Sequence, residues 1–129
     1  MIIADSSVWI DYFKGNATAE ADRLDGFLRS ELIAVGDLIL TEVLQGFRSD
    51  SDFRQARSAL LSLDVLPMVG PAMALTSAQN FRHLRRQGVT VRKTIDLIIA
   101  SFCVESGHRL LFSDRNFEPF VLHLGLKAA

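Results

Sequence analysis

The stretch that most constrains this fold runs from Thr94 to Gly107, with the sequence TIDLIIASFCVESG. Its apolar residues lie all the way round a helical wheel, which is typical of a helix packed on most sides. Thr94 can cap the first turn, and Gly107 can end the helix in a left-handed conformation. Asp96 falls in the first turn, where a carboxylate is costly to bury unless a metal, a cation or hydrogen bonds hold it. An acid there can also face water and favour the helix dipole, so the helix alone leaves its role open.

Composition limits the class of protein. The 129 residues fit one domain, 1–129, and 49% are hydrophobic, which is typical of a folded globular protein. A net charge of -1 excludes a uniformly basic nucleic-acid binder but allows a local basic patch. The single cysteine, Cys103, excludes a disulfide framework and favours a core role in a reducing compartment. We see no membrane span and no signal peptide, so we expect a cytoplasmic protein.

Short apolar runs alternate with helical patterns along the chain. Strands are predicted at Met1–Ala4, Ile33–Val35, Asp64–Met68 and Leu110–Phe112, and Leu124–Leu126 is either a last edge strand or tail. Helices are predicted at Val8–Phe13, Asn16–Ser30, Leu38–Gln45, from Ser49 or Asp50 to Leu63, from Pro71 to Gly88, at the Asp96 segment and at Phe117–His123. This alternation predicts an α/β fold, with a parallel sheet and helices on both faces.

Four acids fall where such a sheet places its sites. Asp5 and Asp114 follow predicted strands, while Glu42 and Asp96 lie near the starts of helices. Sites in open parallel sheets form at the carboxyl ends of the strands, so these four acids can meet there. Clustered carboxylates repel unless a cation neutralises them, and a hard ion such as Mg²⁺ or Mn²⁺ matches oxygen ligands. Such a site suits phosphodiester hydrolysis, although each acid taken singly is more often a cap or turn residue.

One segment of the chain has basic residues and no acidic ones, which indicates a candidate binding site for a negatively charged substrate. No acid occurs between Asp64 and Asp96, whereas this run contains Arg82, His83, Arg85, Arg86, Arg92 and Lys93. Such a patch could hold a phosphate backbone. A solvated helix face explains Arg82, Arg85 and Arg86 equally well. Arg92 and Lys93 immediately precede the Asp96 helix and therefore favour a role near the acids.

Four segments resemble the motifs of PIN-domain ribonucleases: IADSSVWI at 3–10, TEVLQG at 41–46, TIDLIIA at 94–100 and SDRNF at 113–117. In order, length and spacing the chain is similar to VapC toxins of bacterial and archaeal toxin–antitoxin pairs. The resemblance implies a PIN-like fold, with a parallel five-stranded sheet between helices. It also implies cleavage of RNA with Mg²⁺ or Mn²⁺ held by Asp5, Glu42, Asp96 and Asp114.

The resemblance extends to neighbouring residues and to partners. Ser6 or Ser7 would support Asp5 or a metal-bound water, with Ser7 preferred. Apart from the resemblance, our own hypothesis is that Arg92, Lys93 and Arg115 steer the RNA backbone. Many relatives have another Asp at the position of Asn116, which can still orient a water but adds no charge. Such toxins form homodimers, are silenced by an antitoxin, and reach promoter DNA through that antitoxin.

Two other readings remain open. A receiver domain also combines a parallel sheet, acids and Mg²⁺, but it needs an adjacent acidic pair after the first strand and a lysine after the last. Here Ser6 follows Asp5, and the residues directly after Phe112 are Ser113, Asp114 and Arg115, with no lysine. A catalytically inactive PIN-like module that binds RNA or protein would keep the same fold.

Overall fold

The computed structural model describes residues 1–129 and contains five strands and seven α-helices. The strands are β1 (Ile2–Ala4), β2 (Ile33–Gly36), β3 (Asp64–Leu66), β4 (Arg109–Leu111) and β5 (Lys127–Ala128). The helices are α1 (Ser6–Lys14), α2 (Ala19–Ser30), α3 (Asp37–Gln45), α4 (Asp50–Leu61), α5 (Pro71–Arg86), α6 (Thr94–Ser106) and α7 (Glu118–Leu124). A 3₁₀-helix, Arg115–Phe117, leads into α7.

The strands form one parallel sheet in the order β3-β2-β1-β4-β5. The predicted five-stranded parallel sheet between helices is therefore confirmed, with β3 at an edge. The run Leu124–Leu126 is not the last strand. It contains the end of α7 and a turn at Gly125, whose φ of 73° suits glycine, and β5 follows it.

The strand order also decides between two fold families. A receiver domain has the order 2-1-3-4-5, whereas this sheet has 3-2-1-4-5. The receiver alternative is therefore excluded by topology. In the observed order, the sequence of strands reverses between β1 and β4, which lie side by side.

The core lies around the central strands. All three residues of β1 are buried, and Trp9, Phe117 and Phe120 are among the largest fully buried side chains. Packing between helices links α1 with α2 and α3, and α5 with α6 and α7. The middle of α6 is buried, including Cys103, as its apolar sequence predicted. None of the helices is long and apolar enough to cross a membrane.

The starts of α6 and α3 differ from the prediction by one residue each. Thr94 is the first residue of α6 rather than its cap, and no side chain caps this helix at Lys93. Asp37 is the first residue of α3, one residue before the predicted start at Leu38, and its Oδ1 accepts hydrogen bonds from the backbone N–H groups of Leu38 and Met68. Gly107 ends α6 with a φ of 73°, as predicted.

Candidate functional site

The reversal point of the sheet positions the candidate site. The backbone N–H of Asp5 donates to the carbonyl of Leu111 over 2.9 Å, which joins the end of β1 to the end of β4. Asp5 directly follows β1, and Asp114 is the third residue after the end of β4. Ligand sites in open α/β sheets form at this kind of reversal. The first and last of the four acids therefore lie where the fold predicts a site.

Asp5 is a buried carboxylate whose hydrogen bonds come only from the next two residues, Ser6 and Ser7. Its side chain is 5% exposed, and it does not cap α1 although it precedes that helix. Ser7 Oγ donates to its Oδ2 over 3.1 Å, as expected of the preferred serine. Burial raises the pKa of Asp5 to about 6, against the lowering effect of hydrogen bonds from Ser6 N–H and Ser7. The charges of Asp96 and Glu42 raise this pKa further.

Asp96 is buried in the first turn of α6. It is 8% exposed, so the reading in which this acid faces water is wrong. Burial raises its pKa, and the nearby charge of Lys93 lowers it. The charges of Glu42 and Asp114 raise it again. The four acids therefore interact electrostatically, although they come from distant parts of the sequence.

Glu42 and Asp114 are half-buried and hydrogen-bonded. Ser6 Oγ donates to Glu42 Oε1 over 2.6 Å, which links α1 to α3. Asp114 accepts hydrogen bonds from the backbone N–H of Asn116 over 2.9 Å and from its side-chain amide over 3.4 Å. Asp114 thereby caps the 3₁₀-helix, and Asn116 orients it.

The four acids form no salt bridge, although the charge of Lys93 partly offsets that of Asp96. The ion pairs of the molecule join Arg29 to Asp25 and Arg109 to Glu31, so none of the four acids forms one. As the side chains stand, no three or more His, Cys, Asp or Glu residues are placed to hold one metal ion together. Glu42 accepts a hydrogen bond from Ser6 through one oxygen, and Asp114 accepts from Asn116 through both of its oxygens. An all-oxygen donor set in which acids outnumber nearby cations fits Mg²⁺ or Mn²⁺.

A basic pocket adjoins Asp96. Its lining includes Arg92, Lys93, Arg115 and Asn116. Arg82, Arg85 and Arg86 lie elsewhere, on the exposed last turns of α5, and the Arg85 guanidinium carbon is 5.5 Å from the Phe81 ring centroid. The basic run therefore divides into a part that lines the pocket at Asp96 and a part on α5 that does not line it.

Sequence reasoning missed two contacts in the site. Ser113 lies 3.2 Å from Ser7, between their hydroxyl oxygens, and its position directly before Asp114 is the only signal in the sequence. The sequence favours Ser7 over Ser6 as a supporting residue, yet Ser6 also takes part by donating a hydrogen bond to Glu42. His108 lies outside the site, 3.3 Å from the amino-terminal nitrogen of Met1.

The sequence matches the PIN domain family over residues 2–120. It is 28% identical over 131 aligned residues to the VapC ribonuclease Mb1587 of Mycobacterium bovis, covering 100% of this chain and 98% of that one. Ribonuclease VapC11 of Mycobacterium tuberculosis is similar to the same extent.

Solved structures show the same fold. VapBC2 from Rickettsia felis, bound to a DNA fragment from its promoter, gives a TM-score of 0.76 at 16% identity, covering 100% of this chain and 98% of that one. The sarcin-ricin loop cleaving toxin VapC20 of Mycobacterium tuberculosis gives a TM-score of 0.66 at 15% identity, covering 92% and 93% of the two chains.

Proposed function

This chain belongs to the PIN-domain family, and from that premise we propose that it is a metal-dependent endoribonuclease, the toxin of a toxin–antitoxin pair. The observation that carries the proposal is the burial of Asp5 and Asp96 beside Glu42 and Asp114 with no cation paired to any of them. Burying such charges is unfavourable in the metal-free protein, so a structural role does not explain them. Similarity to VapC ribonucleases along the whole chain supports the reaction type.

In this proposal Asp5, Asp96 and Asp114 hold Mg²⁺ or Mn²⁺, directly or through water. Glu42 holds a second ion or orients the attacking water. When bound, such an ion makes a water more acidic and stabilises the charge that develops on the phosphate.

The neighbouring side chains position the acids. Ser7 fixes one oxygen of Asp5, and Ser6 fixes one oxygen of Glu42. Asn116 orients Asp114 through its backbone and its amide, and adds no charge to the site. Arg92, Lys93 and Arg115 place positive charge where the RNA backbone approaches Asp96.

The proposed partners follow from the relatives. An antitoxin protein would silence the nuclease, and two copies of the toxin would form a homodimer. Promoter DNA would be bound only through the antitoxin. The solved VapBC structures, some bound to DNA, support the antitoxin partner and an association of the pair with promoter DNA.

The proposal is tested by incubating total cellular RNA with the purified protein in Mg²⁺, Mn²⁺ or EDTA. We expect discrete products with either metal and none in EDTA. Intact RNA under all three conditions, with the protein folded and free of antitoxin, would favour the alternative of an inactive PIN-like module that binds RNA or protein.

A further inference from the structure

A small pocket lies on one side of the acidic site. It has a volume of about 110 Å³ and is enclosed by the loop at 89–93, the start of α6 and the segment at 115–119. Asp96 is the only one of the four acids in its lining. The pocket is therefore next to the acidic site but does not include Asp5 or Glu42.

The lining of this pocket is positively charged. Three of its side chains are cationic (Arg92, Lys93 and Arg115) and one is anionic (Asp96), so the lining has a net charge of +2. None of the three cations forms a salt bridge or a side-chain hydrogen bond within the molecule, so their donors are free for a ligand. No side chain caps α6, so the backbone N–H groups of its first turn add partial positive charge.

We propose that this pocket binds one backbone phosphate of single-stranded RNA, immediately to one side of the acidic site. The inference rests on the proposed function for the identity of the ligand, but not on cleavage. The pocket has room for a phosphate group, and guanidinium and ammonium groups bind phosphate oxygens well. One anchored phosphate would fix the position of the RNA strand relative to Asp96.

The neutral side chain of Asn116 helps to keep the lining of the pocket positively charged. It lines the pocket with a neutral amide and already donates to Asp114. A carboxylate at this position would lower the net charge of the lining from +2 to +1. We therefore expect Asn116→Asp to weaken RNA binding about fivefold at low salt, through repulsion of the phosphate.

The test measures binding of fluorescein-labelled octauridylate by fluorescence anisotropy in EDTA, across a range of salt concentrations. Binding of one phosphate contributes about 0.7 to the slope of log K against log salt for a single strand. We expect the double variant Lys93→Ala/Arg115→Ala to lower the wild-type slope by about this amount. Arg54→Ala/Arg57→Ala, which removes two exposed cations of α4, should keep the wild-type slope.

Thermal melting would establish that both double variants are folded. A wild-type slope in Lys93→Ala/Arg115→Ala, or an equal loss in the control pair, would overturn the proposal. Because EDTA prevents metal-dependent cleavage, the two proposals can fail separately. A lowered slope without any cleavage in Mg²⁺ would support the pocket and contradict the nuclease, whereas cleavage with an unchanged slope would do the reverse.

Discussion

Asp96→Asn is expected to lower metal-dependent RNA cleavage by at least about a hundredfold, because it removes a charged ligand from the centre of the site. Asparagine has nearly the same shape, so α6 should keep its packing. The variant should also be at least as stable as the wild type in EDTA, since it buries one fewer unpaired charge among like charges. Cleavage of total RNA in Mn²⁺ and thermal melting in EDTA measure the two effects.

The matched control is Asp22→Asn. Asp22 also lies in the first turn of a helix, but it is exposed on α2. We expect this variant to cleave RNA at the wild-type rate. Cleavage by Asp96→Asn at the rate of the control would show that Asp96 is not part of the catalytic site.

Asp5→Asn is expected to stabilise the metal-free protein at neutral pH. The pKa of Asp5 is raised from 3.8 to about 6 in the folded protein, mainly by burial. The folded state therefore binds a proton more tightly than the unfolded state, and stability is lost as the pH rises from about 4 to 6. A rise of about two pKa units lowers the unfolding free energy of the wild type by roughly 3 kcal/mol above pH 6. The Asp5→Asn variant has no ionisable group at this position and should not show this loss.

The expected result is a pH-dependent difference between two melting curves in EDTA. Near pH 4 Asp5 is largely protonated in the folded protein, and the two proteins should melt at similar temperatures. At pH 7.5 the variant should melt higher, by up to about 10 °C. Adding Mn²⁺ should raise the melting temperature of the wild type much more than that of the variant. A variant that melts below the wild type at pH 7.5 in EDTA would indicate that Asp5 is a structural carboxylate.

Much of the fold follows from local sequence patterns. The apolar runs that became β1, β2 and β4 can form strands buried on both faces, and the all-round apolar α6 has to lie in the core. The ends of elements were less predictable. Thr94 has a good capping side chain, yet α6 begins one residue earlier than a Thr94 cap would require.

The placement of the acids could be predicted where the topology of the sheet determines it. Parallel strands place Asp5 and Asp114 at one edge of the sheet, because every strand runs in the same direction. The hydrogen bonds that orient the acids could not be predicted from the chain. The contact of Ser6 with Glu42 depends on how α1 packs against α3, and that of Ser7 with Ser113 depends on how β1 lies beside β4.

The most direct test of the central claim is anomalous diffraction from crystals of the protein grown with Mn²⁺. The claim is that four acids, distant in sequence, form one metal centre. We expect an anomalous peak about 2.2 Å from carboxylate oxygens of Asp5 and Asp96, with Asp114 as a ligand directly or through water. Peaks only at exposed acids such as Asp22, or no peak between Asp5 and Asp96 at saturating Mn²⁺, would contradict the claim.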